Sequence, residues 1–139
     1  MNRNIEELID QLSKKPKTLF LIDSLGAFFT SFFLFVVMRN LNQYFGMSTT
    51  AITYLAITAS LFCIYSATCF LFLKERWTLY IKIIGIANLL YCGLTIGLMI
   101  TYYSSLTILG TTYFLLEILI ICRLSYVELK VAREIKNAP

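Results

Sequence analysis

Four apolar stretches separated by short polar connectors dominate the chain. They run from Thr18 to Met38, Ala51 to Leu73, Thr78 to Tyr102 and Leu106 to Leu124. Each approaches or exceeds the roughly 20 residues that a helix needs to cross about 30 Å of hydrocarbon. None alternates with the period of two expected of a barrel strand, and backbone polar groups in lipid must pair within their own segment, so the pattern predicts four helices. The connectors, Arg39 to Thr50, Lys74 to Trp77 and residues 103–105, are short. Connections of that length make successive spans antiparallel, which predicts an all-α integral membrane four-helix bundle of up-down-up-down order.

Outside the spans the pattern changes period. Ile5, Leu8, Ile9 and Leu12 fall at i, i+3, i+4 and i+7, which predicts a short amphipathic helix. Asn4 and Glu7 are spaced as a capping box, and Pro16 marks the boundary with the first span. This helix is expected to lie apolar side down on the membrane surface or against the bundle. Beyond Leu124, Val127, Val131 and Ile135 carry the helical pattern on into water. The expected organisation is an N-terminal segment 1–17, a bundle 18–124 and a helical tail 125–139. The first span reads as retained rather than cleaved. It starts late, it contains Asp23, and no small-residue cleavage site follows it.

Composition supports this reading. Of 139 residues, 58% are hydrophobic and 14% charged, against about a quarter charged in a soluble domain. The net charge of +4 would suit nucleic acid, but the basic residues flank the spans instead. Arg3, Lys14, Lys15 and Lys17 precede span one; Lys74, Arg76 and Lys82, the last near the start of span three, sit at the junction of spans two and three; Arg123, Lys130, Arg133 and Lys136 end the chain. Arg39 alone falls on the other side, so both termini are expected in the cytoplasm. The partners expected are membrane lipids, with a second copy or another membrane subunit left open, and no nucleic acid. The chain has no histidine, which removes His-ligated haem, His-containing metal sites and His-based acid–base catalysis. Its four cysteines all lie inside spans with no CxxC pair, and read as small packing residues. No cofactor and no metal are expected.

Within the spans, small and polar residues segregate from bulky ones. Asp23, Gly26, Ala27 and Thr30 share one side of span one; Ala56, Ala59, Ser60, Cys63, Ser66 and Ala67 cluster in span two; Gly85, Asn88, Cys92, Thr95 and Met99 in span three; Gly110, Tyr113, Phe114, Glu117, Ile121 and Leu124 in span four. Small faces permit close helix approach, so these sides are expected to meet. The bulky sides, among them Phe28, Phe29, Phe32, Phe62, Tyr65 and Phe72, are expected to face lipid.

Two carboxylates stand on those inward faces. Asp23 lies roughly 8 Å from the inner end of span one and Glu117 roughly 10 Å from that of span four, at 1.5 Å per residue. Lys82 enters from the same end, and Asn88 lies nearer the midplane. A carboxylate in lipid must be neutral, paired or wetted, so Asp23, Glu117, Lys82, Asn88 and Tyr113 are the candidate residues of a ligand- or proton-binding site. Tyr65 and Tyr91 also lie deep enough to donate hydrogen bonds.

LIDSLGAFFTSFF, IIGIANLLYCGLTIGL and TILGTTYFLLEILII, the last continuing into YVELKVA, resemble stretches of small four-helix bacterial inner-membrane proteins. The resemblance implies the fold and a bacterial inner membrane, and brings no activity. In size and span count the chain is also similar to small multidrug transporters and to DoxX-like proteins. The transporters carry their essential glutamate in the first span, where this chain has Asp23, so no site residue carries over. Three functions compete: binding or transport of a small molecule, lipid or proton through the polar site; a structural or accessory membrane subunit; and a small intramembrane enzyme using the carboxyl pair for proton transfer.

Overall fold

The computed structural model describes residues 2–137. Helix α1 spans Asn2–Lys14, so Asn4 lies inside its first turn rather than capping it. Helix α2, Pro16–Phe32, starts on a proline, whose missing N–H costs nothing at a helix N-terminus. It runs directly into a π-helical segment, Phe33–Met38, closed where the Arg39 N–H reaches back five residues to the Leu34 carbonyl at 2.9 Å. A single turn, α3, covers Asn42–Phe45. Helix α4, Thr49–Phe72, is capped by the Ser48 hydroxyl, which accepts from Ala51 N–H at 3.1 Å. Helices α5, Trp77–Thr101, and α6, Ile108–Asn137, complete the chain. Four helical stretches are long and apolar enough to cross a membrane, and no strand occurs among the described residues.

The four long helices form two antiparallel pairs. Helix α2 packs along α4 and α5 along α6, while contact between the pairs is sparse. The first pair is tied by the Ser31 hydroxyl, which meets Ser60 Oγ and the Ala56 carbonyl. In the second pair, Gly85 lets α6 approach closely. A Cβ there would stand 3.2 Å from the Leu129 side chain. Two apolar clusters close the bundle. One, at the end carrying the 39–50 connector, gathers Leu34, Met38, Phe45, Met47, Leu55 and Phe114. The other, at the end carrying both termini, gathers Leu19, Phe20, Ile81, Ile84 and Val131 with Ile9 and Leu12 of α1. Of the two places open to α1, it therefore occupies the one against the bundle. Helix α6 is 30 residues long, about 45 Å, and its final turns supply the surface that α1 covers.

The outer surface is apolar. Phe28 (54% exposed), Phe29 (66%) and Phe72 (74%) project outward with Leu61, Leu90 and Leu119. A belt of that kind is stable against lipid, not water. Polar side chains on it are internally satisfied. Thr53, Thr58, Thr68 and Thr101 each donate to the carbonyl four residues back. The molecule is a multi-pass membrane protein.

At the connector end the backbone is pinned. Gly46 adopts φ +84°, in the left-handed region that glycine enters without strain. Gly110 lies against the Phe45 carbonyl, and a Cβ there would overlap that oxygen. Thr107 fastens the contact, its N–H donating to Phe45 O (3.2 Å) and its hydroxyl to Tyr44 O (2.6 Å).

Candidate functional site: a cavity between the helix pairs

Because the two pairs touch sparingly, a cavity of about 240 Å³ remains between them. Helix α2 contributes Asp23, Gly26, Ala27 and Thr30; α6 contributes Tyr113, Leu116, Glu117 and Ile120; Ala59, Phe62, Asn88 and Tyr91 come from α4 and α5. Leu116 and Ile120 are more than half exposed on the outer surface of α6, and no other atom lies within 4 Å of where a Gly26 Cβ would stand. The cavity therefore opens sideways, between α2 and α6, toward the hydrocarbon. This corrects the expectation for span one. Gly26, Ala27 and Thr30 of its small face front this opening, while α2 meets α4 through Ser31 with Ser60 and through Asp23 with Ser66. Phe62 and Tyr65 are likewise half-buried rather than lipid-facing. Phe62 meets the Tyr91 ring edge-on at 6.0 Å, and the Tyr65 hydroxyl donates to the Tyr80 carbonyl at 3.1 Å.

Glu117 sits in the cavity wall, 7% exposed. Tyr91 Oη donates to its Oε1 at 2.7 Å, while Oε2 is buried without a partner. A carboxyl oxygen left without a donor in an apolar surround is costly and calls for a ligand, a water or a proton. Tyr113 also lines the cavity, with its ring stacked on Phe33 of the π segment at 4.9 Å.

Asp23 and Glu117 line the same cavity, but hydrogen-bond in different networks. Ser66 Oγ donates to Asp23 Oδ2. Asn88 Nδ2 donates both to Asp23 Oδ1 at 2.9 Å and to Glu128 Oε2 at 3.1 Å. Glu128 is fully buried, and sequence reasoning placed it in the water-exposed tail. A signal was present. Glu128 follows Glu117 by eleven residues, three turns of helix, so both fall within roughly 20° of one face and about 16 Å apart along it. Ser125 Oγ and Glu128 Oε1 complete the neighbourhood, both buried without a partner.

Lys82 does not join the site. Its side chain is exposed, and the only ion pair among the described residues is Lys14–Asp10 at 2.9 Å on the α1 surface. Lys82 follows the buried Ile81 by one residue, about 100° round the helix, which turns it off the inward face that Ile81, Gly85, Asn88 and Cys92 form. The three buried carboxyls thus have no cationic partner among the described residues. No group of three or more His, Cys, Asp or Glu among those residues is arranged to hold a metal ion.

Compared with known proteins, the chain matches no family model, no curated protein and no solved structure.

Proposed function

We propose that this protein binds a small amphiphilic molecule that enters from the bilayer. The molecule's apolar body would lie against Phe62, Tyr113 and Ile120, and one cationic or hydrogen-donating group would rest on Glu117. The observation that carries this reading is the free Glu117 Oε2, buried in the wall of a lipid-facing cavity and without a counter-cation. The aromatic rings in the wall would add attraction for an ammonium group. The volume lies below that of a drug-sized site, so the ligand class is small, with a single ring or short chain. Binding is the first step of transport as well, and the sparse contact between the helix pairs leaves room for one pair to rock against the other. The distribution of basic residues supports a cytoplasmic location for both termini, and the likeness noted in the sequence supports a bacterial inner membrane.

The test uses 2-phenylethylammonium and the purified protein in nanodiscs, with binding read by equilibrium dialysis. The wild type is expected to bind saturably. Glu117→Gln is expected to bind at least about tenfold more weakly, equivalent to about 1.4 kcal/mol, with unchanged melting behaviour. Equal binding by the two proteins, or no saturable binding by the wild type, would refute the reading.

A further inference from the structure

Beneath the cavity, at the level of Asn88, lies a second constellation that the ligand-binding reading does not use. Asp23 and Glu128 approach from opposite helix pairs and share the single amide of Asn88. Because one oxygen of each accepts from that one nitrogen, at 2.9 Å and 3.1 Å, the two oxygens lie no more than about 6 Å apart. Two ionised carboxylates that close, buried and without a cation, repel each other, and one proton held between them relieves the repulsion. The surroundings point the same way. Ser66 on α4 bonds Asp23, and Ser125 is buried three residues before Glu128 on α6; neither is charged. Cys63, one turn before Ser66 on α4, and Tyr65, next to Ser66 in sequence, bring no positive charge. Helix α1 turns apolar Ile9 and Leu12 toward this end of the bundle, and its own charges Asp10 and Lys14 are spent on each other at the surface. Lys82 and Arg123 are exposed.

A metal cation would be a poor occupant. Both Asp23 oxygens and Glu128 Oε2 already accept hydrogen bonds from Ser66 and Asn88, which leaves one carboxylate oxygen, Glu128 Oε1, and one hydroxyl, Ser125 Oγ. Hard cations take six or more oxygens, whereas one proton needs only one acceptor pair. We infer that Asp23, Asn88 and Glu128 form a binding site for one exchangeable proton, shared by the two carboxyls and released by way of the cavity that Asp23 and Asn88 line. On release the site passes from a carboxylic acid hydrogen-bonded to a carboxylate, to two carboxylates held by the Asn88 amide. The bond broken is the acid O–H, and the bond formed is to a water molecule that reaches Asp23 through the cavity and carries the proton away as hydronium. This site does not depend on the cavity holding a ligand.

The test is infrared difference spectroscopy on the full-length protein in nanodiscs, following the protonated-carboxyl stretch as pH is raised and after transfer to heavy water. In the wild type a band is expected that shifts on deuteration and disappears at alkaline pH. Glu128→Gln and Asp23→Asn are each expected to remove that same band, because one proton is shared. Glu117→Gln is expected to leave it in place. A band removed only by Glu128→Gln would show an ordinary buried acid and overturn the sharing. A wild-type spectrum without the band, or with a band that does not shift in heavy water, would overturn the exchangeable site whether or not either variant folds.

Discussion

Glu117 and Asn88 show how differently one buried polar residue can be used. Glu117 has a single donor, the Tyr91 hydroxyl, and a second oxygen with none. Tyr91→Phe removes that donor and leaves the whole carboxyl unpaired, so a loss of about 1–3 kcal/mol is expected in denaturant unfolding in detergent. Glu117→Gln keeps an acceptor for Tyr91 and is expected to cost less. Should Glu117→Gln prove the more damaging of the two, the free oxygen has a structural partner that the geometry does not reveal. Asn88 instead satisfies two carboxyls from two other helices. Asn88→Ala leaves Glu128 with no donor and Asp23 with Ser66 alone, and is expected to cost about 2–5 kcal/mol, more than Tyr91→Phe, in the same measurement.

At the scale of an element, the outcome depends on what each helix face meets. Gly110 touches the Phe45 carbonyl, and backbone cannot step aside as a long side chain can. Gly110→Ala is therefore expected to lower the melting temperature by several degrees and to raise proteolysis in the 39–50 connector. Gly26→Ala, at the open mouth of the cavity, is expected to leave melting unchanged. Equal sensitivity at the two glycines would show that the opening between α2 and α6 is closed in the membrane. Phe29, two-thirds exposed to lipid, is expected to tolerate Leu within about 0.5 kcal/mol. Ala59 is buried in the cavity wall. Ala59→Leu is expected to occupy the cavity and abolish 2-phenylethylammonium binding by equilibrium dialysis, with the fold retained.

The whole molecule is two helix pairs, clamped at one end by the connector and at the other by α1. The pairing of α5 with α6 brings Cys92 Sγ and Cys122 Sγ to 3.8 Å. Mild oxidation is therefore expected to consume two of the four thiols by cross-linking within one chain, without forming a dimer. Oxidation that gave only intermolecular products would contradict the pairing. Leu12 binds α1 to the terminal cluster and is 6% exposed. Leu12→Ala is expected to cost about 2–3 kcal/mol and to loosen α1 first, measurable as faster amide exchange over residues 2–14.

The apolar stretches alone determine four spanning helices and their alternation, because about 20 residues without alternation admit no other solution in lipid. Helical spacing also places Asp23, Asn88 and Glu117 on inward faces, since Asp23 precedes Gly26 and Asn88 follows Gly85 by nearly one turn, and Glu117 follows Gly110 by nearly two. What spacing cannot convey is how far apart the inward faces end up. Gly26 and Gly85 are alike as letters. One fronts an open cavity and the other sits under Leu129, because α5 and α6 pack tightly while α2 and α6 do not. The fate of each carboxyl was settled at the same level. Asp23 stands near the start of its span and Glu128 beyond the apolar part of the last one, yet Asn88 joins them across three helices. Glu128 looks like a solvated tail residue until α6 runs on unbroken and packs on α5, with α1 covering its next turn. Lys82 made the opposite passage, from expected partner to exposed cation, by a rotation of one residue on its helix. Periodicity along a single helix determines which side is inward; the distances between helices, set by packing, decide which inward residues meet.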